Sequence, residues 1–138
     1  MNQSVGGPET SASNDIRTYA SPMTSAKSID LTFEIDDKVK DLSLNIEVRK
    51  NLYLIMKEAI NNAVKYSNCK SLSINIQRNM DKLVCVVKDD GDGFDISSTN
   101  GNGNGLVNMK ERADRIHADI EIQSTPENGC LIRTQYSI

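Results

Sequence analysis

Between Ile46 and about Ser67, apolar residues return at helical spacing. Val48, Leu52, Ile55, Met56, Ala59 and Ala63 draw one stripe along a long helix. A helix that is apolar on a single side must lay that side on another layer, so the segments around it decide the fold. Upstream, IDLTFEID (29–36) alternates, with Leu31, Phe33 and Ile35 on one face and Thr32 and Glu34 on the other. Downstream, SLSINIQ (71–77) alternates again, and KLVCVVKD (82–89) is apolar on both faces, as a central strand is. Leu106, Met109, Ala113 and Ile116 mark a second amphipathic helix. ADIEIQS (118–124) and CLIRTQYSI (130–138) read as two closing strands joined by a hairpin turn at PENG (126–129). This order predicts an α+β fold: a two-layer α/β sandwich with a mixed, roughly five-stranded sheet and the helices packed on one face.

At 138 residues, one domain is expected. Residues 1–14, MNQSVGGPETSASN, are small and polar and read as a disordered linker or tag. Residues 15–28 leave room for a short helix, with Ser21 as its cap and Pro22 in its first turn. Residues 29–138 hold the main domain. A net charge of −3, no polybasic run and no tryptophan give no sign of a partner among nucleic acids or anionic lipids. The three cysteines, Cys69, Cys85 and Cys130, are odd in number and include no CxxC, which favours a reducing compartment. No apolar run reaches the roughly 18 residues of a membrane span, so the chain as given is expected to be soluble.

Two places carry chemistry-bearing residues. On the long helix, Glu58, Asn62 and Lys65 share one face, with Tyr66 beside them. Spacing alone also fits a solvated face with a Glu-to-Lys surface pattern. Asn61 and Asn62 count against that, because asparagine is a poor helix former in mid-helix. An amide oxygen suits a hard cation such as Mg²⁺, and a carboxylate one turn away can take a proton.

The second place is DDGDGF (89–94), followed at 101–106 by GNGNGL. Asp-Gly is a turn signal in its own right. An EF-hand fails here, because counting from Asp90 puts Phe94 at the fifth position and Gly101 at the twelfth. The dinucleotide fingerprint fails at Leu106 and Asn108, and no Walker Gly-Lys is present. The glycine cluster nonetheless runs straight into a helix, and a helix N-terminus with bare backbone donors suits an anion.

Taken together, EAINNAVKYS, DDGDGF, GNGL and the following MKER, in this order and spacing, resemble the ATP-binding domain of sensor histidine kinases. More broadly they resemble the GHKL ATPase superfamily. The resemblance covers roughly residues 17–138. The short loop between the glycine boxes and Met109–Arg112 look most like kinases paired with LuxR-type response regulators. The resemblance implies ATP and Mg²⁺ as cofactors. It makes Asn62 the magnesium ligand and Glu58 the catalytic carboxylate that activates the acceptor histidine. Lys65 and Tyr66 match positions near the phosphates. Asp89 matches the acceptor for the adenine amino group, and Gly91 and Gly93 let the base approach. Gly103, Gly105 and Leu106 match the second glycine box, which holds the phosphates and a lid spanning about 95–104. Asp90 and Asp92 match no role and read as solvated surface.

A histidine kinase needs an acceptor histidine on a helical hairpin. The one histidine here, His117, lies after the second helix, where the acceptor is never found. The acceptor helices are missing apart from a remnant within 15–28. The resemblance therefore implies an isolated cytoplasmic catalytic domain that binds Mg-ATP without phosphorylating itself. Its partners would be its own dimerisation and phosphoacceptor domain and a downstream response regulator. Two alternatives remain at this stage: a serine kinase resembling anti-sigma factors, and a non-catalytic module that senses ATP.

Overall fold

The computed structural model of the chain describes residues 8–40, 42–93 and 105–138. One sheet contains β1 (Asp30–Ile35), β2 (Ser71–Asn79), β3 (Lys82–Asp89), β4 (Asp119–Ser124) and β5 (Cys130–Ser137). In space the strands run β1-β2-β3-β5-β4. β1 is parallel to β2, and the other three neighbouring pairs are antiparallel. The helices are α1 (Pro8–Ala26), α2 (Ile46–Tyr66) and α3 (Gly105–Arg115). The expected α+β sandwich with a mixed five-stranded sheet is what the chain forms.

The strand register explains the two layers. Leu72, Ile74 and Ile76 of β2, Leu83, Cys85 and Val87 of β3, and Ile132 of β5 are all buried with Leu52, Ile55, Ala59 and Ile60 of α2. A slip of one residue would turn every one of these side chains away from the helices. The opposite face carries Ser73, Asn75, Gln77, Lys88, Arg133 and Gln135, with Val84 and Val86 half-buried among them. Thus β3 is the central strand its two-sided apolar run predicts. Ile60 and Ile74 are fully buried, and truncating either to alanine removes about 2–5 kcal/mol by the usual cavity cost.

α2 is well terminated. The side chain of Asn45 accepts a hydrogen bond from the Val48 N–H at 2.9 Å. Glu47 in the first turn and Lys65 in the last complement the helix dipole.

α1 differs from the sequence expectation. It starts at Pro8, within the stretch read as an unfolded linker, and Pro22 lies inside it, not in its first turn. Ile16, Ala20 and Thr24, at four-residue spacing, are buried. This stripe, with half-buried Tyr19 and Met23 beside it, supplies the packing that the polar composition hides. Pro22 is exposed, so its ring and its missing N–H face water. The helix ends in a Schellman turn: Ser28 takes φ 56°, the Ile29 N–H donates to Thr24 O at 2.8 Å, and the Ser28 N–H donates to Ser25 O at 3.1 Å. Lys27 Nζ then donates to Val64 O at 2.8 Å, tying α1 to the last turn of α2.

Candidate functional site

α2 brings Glu58 and Asn62, both half-buried, to the start of α3. A Cβ built on Gly105 would lie 2.7 Å from Glu58 Oε2 and 3.1 Å from Asn62 Nδ2. A side chain at Gly105 would press on the ends of these two side chains, which would have to give way. A half-turn of the Asn62 amide would present its oxygen at the same point. Leu106, next in α3, is half-buried against the core. Lys65 and Tyr66, at the end of α2, face solvent, and Tyr66 is 74 % exposed. No hydrogen bond or ion pair among the described residues joins them to Glu58 or Asn62. Gly103 and the expected lid at 95–104 fall outside the described residues.

Asp89 ends β3 and is 7 % exposed. Its Oδ1 accepts a hydrogen bond from the Gly91 N–H at 2.8 Å. Burial pushes its carboxyl above the ordinary range, while the Gly91 N–H pulls the other way. A buried carboxylate with spare acceptor capacity at a strand end can read a donor edge.

The loop that follows is stitched to its surroundings. The Asp92 N–H donates to Ser67 O, the C-cap of α2, at 2.6 Å. The Glu127 N–H donates to Asp92 O. Asp90 Oδ1 accepts from the Lys70 N–H at 2.8 Å and the Ser71 N–H at 2.9 Å. These bonds, Ser71 first, hold its carboxyl below the usual range. Asn68 Nδ2 donates to Asp92 Oδ2 at 2.8 Å. Asp90 and Asp92 are exposed, yet each has a structural task that the solvated-surface reading did not give it.

The glycines of this loop answer to protein backbone. A Cβ on Gly91 would run into Ser67 O and come within 2.6 Å of Ser67 Oγ. Gly93 takes φ +67°, and a Cβ there would collide with Thr125 O. Close packing against α2 and the β4–β5 hairpin therefore requires both glycines, whatever lies over them.

Between α1, α2 and α3, beside Glu58, is a cavity of about 200 Å³ bordered by Tyr19, Lys57, Asn61, Asn108 and Arg112. The Tyr19 hydroxyl donates to Asn61 Oδ1 at 3.4 Å, and Lys57 Nζ stands 5.1 Å from the centre of the Tyr19 ring. The sequence reading did not single out Tyr19, Lys57 or Arg112 for this place. The sign was available for Arg112, which lies seven residues after Gly105 and so on the same face of α3.

His117 lies away from the site. It is exposed, takes φ 57°, and closes α3 in a second Schellman turn, with Ala118 N–H to Ala113 O at 2.9 Å and His117 N–H to Asp114 O at 3.1 Å. Among the described residues no cluster of three or more His, Cys, Asp and Glu could hold a metal by itself, and no helix is long and apolar enough to cross a membrane.

Comparison with known proteins gives a consistent answer. Residues 47–137 match the family described as histidine kinase-, DNA gyrase B- and HSP90-like ATPases. The chain is 31 % identical over 111 residues to the sensor protein VraS of Staphylococcus haemolyticus, covering 78 % of this chain and 32 % of that protein. VraS of Staphylococcus epidermidis is 32 % identical over 98 residues, covering 71 % of this chain and 28 % of that protein. The chain thus spans about a third of the length of these relatives. Among solved structures, the catalytic domain of histidine kinase ThkA superposes with a TM-score of 0.75 at 16 % identity, over 93 % of this chain and 90 % of that one. The histidine kinase domain of the Erythrobacter litoralis blue-light activated kinase gives 0.75 at 14 %, over 91 % and 60 %. With buried Asp89 at the end of the central strand and Glu58 and Asn62 closed under Gly105, the chain belongs to the family of histidine kinase-, DNA gyrase B- and HSP90-like ATPases.

Proposed function

We propose that this chain is the ATP-binding catalytic domain of a two-component sensor histidine kinase. It donates the γ-phosphate of Mg-ATP to a histidine on a helical dimerisation domain of the same polypeptide. The observation that carries this reading is the approach of Gly105 to Glu58 and Asn62. It puts a carboxylate and an amide at a helix N-terminus, and the backbone N–H groups of a helix start favour phosphate.

The roles divide along α2 and β3. Asp89, buried, accepts a hydrogen bond from the adenine amino group. Gly91 and Gly93 set the loop on which the base rests. Asn62 offers its amide oxygen to Mg²⁺. An amide oxygen at this place would suit a hard cation such as Mg²⁺. When bound, Mg²⁺ neutralises charge on the triphosphate. Glu58, half-buried, draws the proton of the acceptor imidazole as the phosphate arrives. Lys65 and Tyr66, exposed at the end of α2, reach toward the phosphates, and Gly103 and Leu106 complete the second glycine box with Gly105.

On this reading α1 closes an upstream helical domain and 29–138 are the catalytic unit on the cytoplasmic side. The downstream partner is a response regulator, of LuxR type on the strength of the short glycine-box loop and the Met109–Arg112 run. Incubation with labelled ATP and the separate phosphoacceptor domain tests the assignment. Phosphohistidine is expected on that domain and none on this chain. Label on serine would point to a serine kinase, and nucleotide binding without any transfer would leave only a sensor.

A further inference from the structure

We propose that Asn51 and Arg112 form a register clamp between α2 and α3 that holds Gly105 against Glu58 and Asn62, making Arg112 a positioning residue for phosphoryl transfer. The inference rests on the reading above for its link to transfer, and on geometry alone for the clamp.

Asn51 lies in the apolar stripe of α2 and is 1 % exposed. It is the one polar side chain among the buried residues of that helix. An asparagine there costs stability unless its polar atoms are satisfied. Its amide nitrogen donates twice to Glu47, at 2.8 Å to the backbone oxygen and 3.2 Å to Oε2. That fixes the amide plane and aims the carbonyl oxygen at α3. There Arg112 reaches it at 3.4 Å. The distance is long for a hydrogen bond, so the value of the contact is directional more than energetic.

Apolar packing seats α3 through Met109 and Ala113, with Leu106 half-buried and Ile116 buried just past its end. Methionine adapts to many surroundings and alanine is small, so the two fully buried side chains of the helix add little directional preference along α2. A lone buried polar contact between helices is the feature best able to choose one register. The spacing fits that role. Seven residues separate Asn51 from Glu58, and seven separate Gly105 from Arg112. Both intervals are about two helical turns. The helices therefore meet at two points the same distance apart on each. With Arg112 held at Asn51, Gly105 falls beside Glu58 and Asn62. Without that contact, α3 can slide, and a side chain in place of Gly105 would press on the carboxylate.

The test compares the whole chain with Arg112→Met, Arg112→Lys, the apolar pair Asn51→Leu/Arg112→Met, and the exposed control Lys110→Met. NMR of the Gly105 backbone amide and the Asn62 side-chain amide reads the clamp without activity. Both resonances should move in Arg112→Met and in the pair, and stay in place in the control. In transfer to the phosphoacceptor domain, kcat should fall on the order of 10- to 100-fold while KM for ATP changes far less. Arg112→Lys, which keeps a charged donor, should recover part of kcat. The apolar pair should melt no lower than wild type. Unmoved Gly105 and Asn62 resonances would overturn the clamp, as would a kcat loss matched by a collapse in melting temperature. If wild type neither binds an ATP analogue nor supports transfer, the function reading fails, and the NMR result still decides the clamp.

Discussion

The backbone N–H of Asp92 donates to the carbonyl oxygen of Ser67 at 2.6 Å, so the loop leaving β3 is fastened to the end of α2. Gly91 lies inside that fastening. Gly91→Ala must push Ser67 aside and should cost about 1–3 kcal/mol, the scale of a strained backbone site. Urea denaturation will show it as a lower midpoint with an unchanged slope. A glycine kept bare solely for a ligand would lose affinity and leave the midpoint where it was.

On the proposed reading, Asp89 trades stability for recognition. Its carboxyl is raised by burial, so its contribution to stability is fully present below the ordinary carboxylate range and is lost as pH rises through its raised value. Asp89→Asn should therefore melt higher than wild type at neutral pH, and the gap should close in acid. Asp89→Ala removes a charge-assisted hydrogen bond of about 1.5–3 kcal/mol, which weakens ATP binding roughly 10- to 150-fold. Calorimetry with both variants separates the two effects, and equal affinity in wild type and Asp89→Ala would remove the residue from the base site.

Glu58 and Asn62 approach the same glycine but should fail differently. Glu58→Gln keeps the shape of the site and should leave ATP affinity near wild type while slowing transfer by about 10²- to 10⁴-fold. Asn62→Ala should erase the increase in ATP affinity that Mg²⁺ brings to wild type. Titrations with and without Mg²⁺, paired with transfer rates, discriminate between them. A Glu58→Gln variant that transfers normally would end its role as the proton acceptor.

His117 occupies a left-handed position that glycine fills without strain. His117→Gly should raise stability by about 1 kcal/mol, because a left-handed L-residue costs about 1–2 kcal/mol. It should leave nucleotide affinity unchanged. Label from ATP appearing on wild type and vanishing in this variant would make His117 an acceptor after all.

The layers of the fold are written in the chain because each element carries its own period. The stripe from Val48 to Ala63 and the two-sided run at 83–87 have one solution, a helix laid on a central strand. The site is half legible. Glu58 and Asn62 share a helix face, so their proximity follows from spacing. Their meeting with Gly105 is tertiary, and only the family pattern anticipates it. The stitching by Asp90 and Asp92 is invisible locally, because their partners, at Ser67 to Ser71, are some twenty residues away. α1 is legible only in part. Ile16, Tyr19, Ala20, Met23 and Thr24 recur at helical spacing and pack on the core, but Pro22 looks like a boundary until the exposed side it occupies is known.

Ser67 closes the helix that carries Asn62, five residues earlier, and the same carbonyl anchors the loop after Asp89. Five residues of helix span about 7.5 Å, a length that side-chain motion does not stretch. On the proposed reading, base and triphosphate are thus measured against one stiff strut. A tilt of α2 carries both anchor points together, and a nucleotide analogue with an inserted spacer between ribose and phosphate would find the two ends out of step.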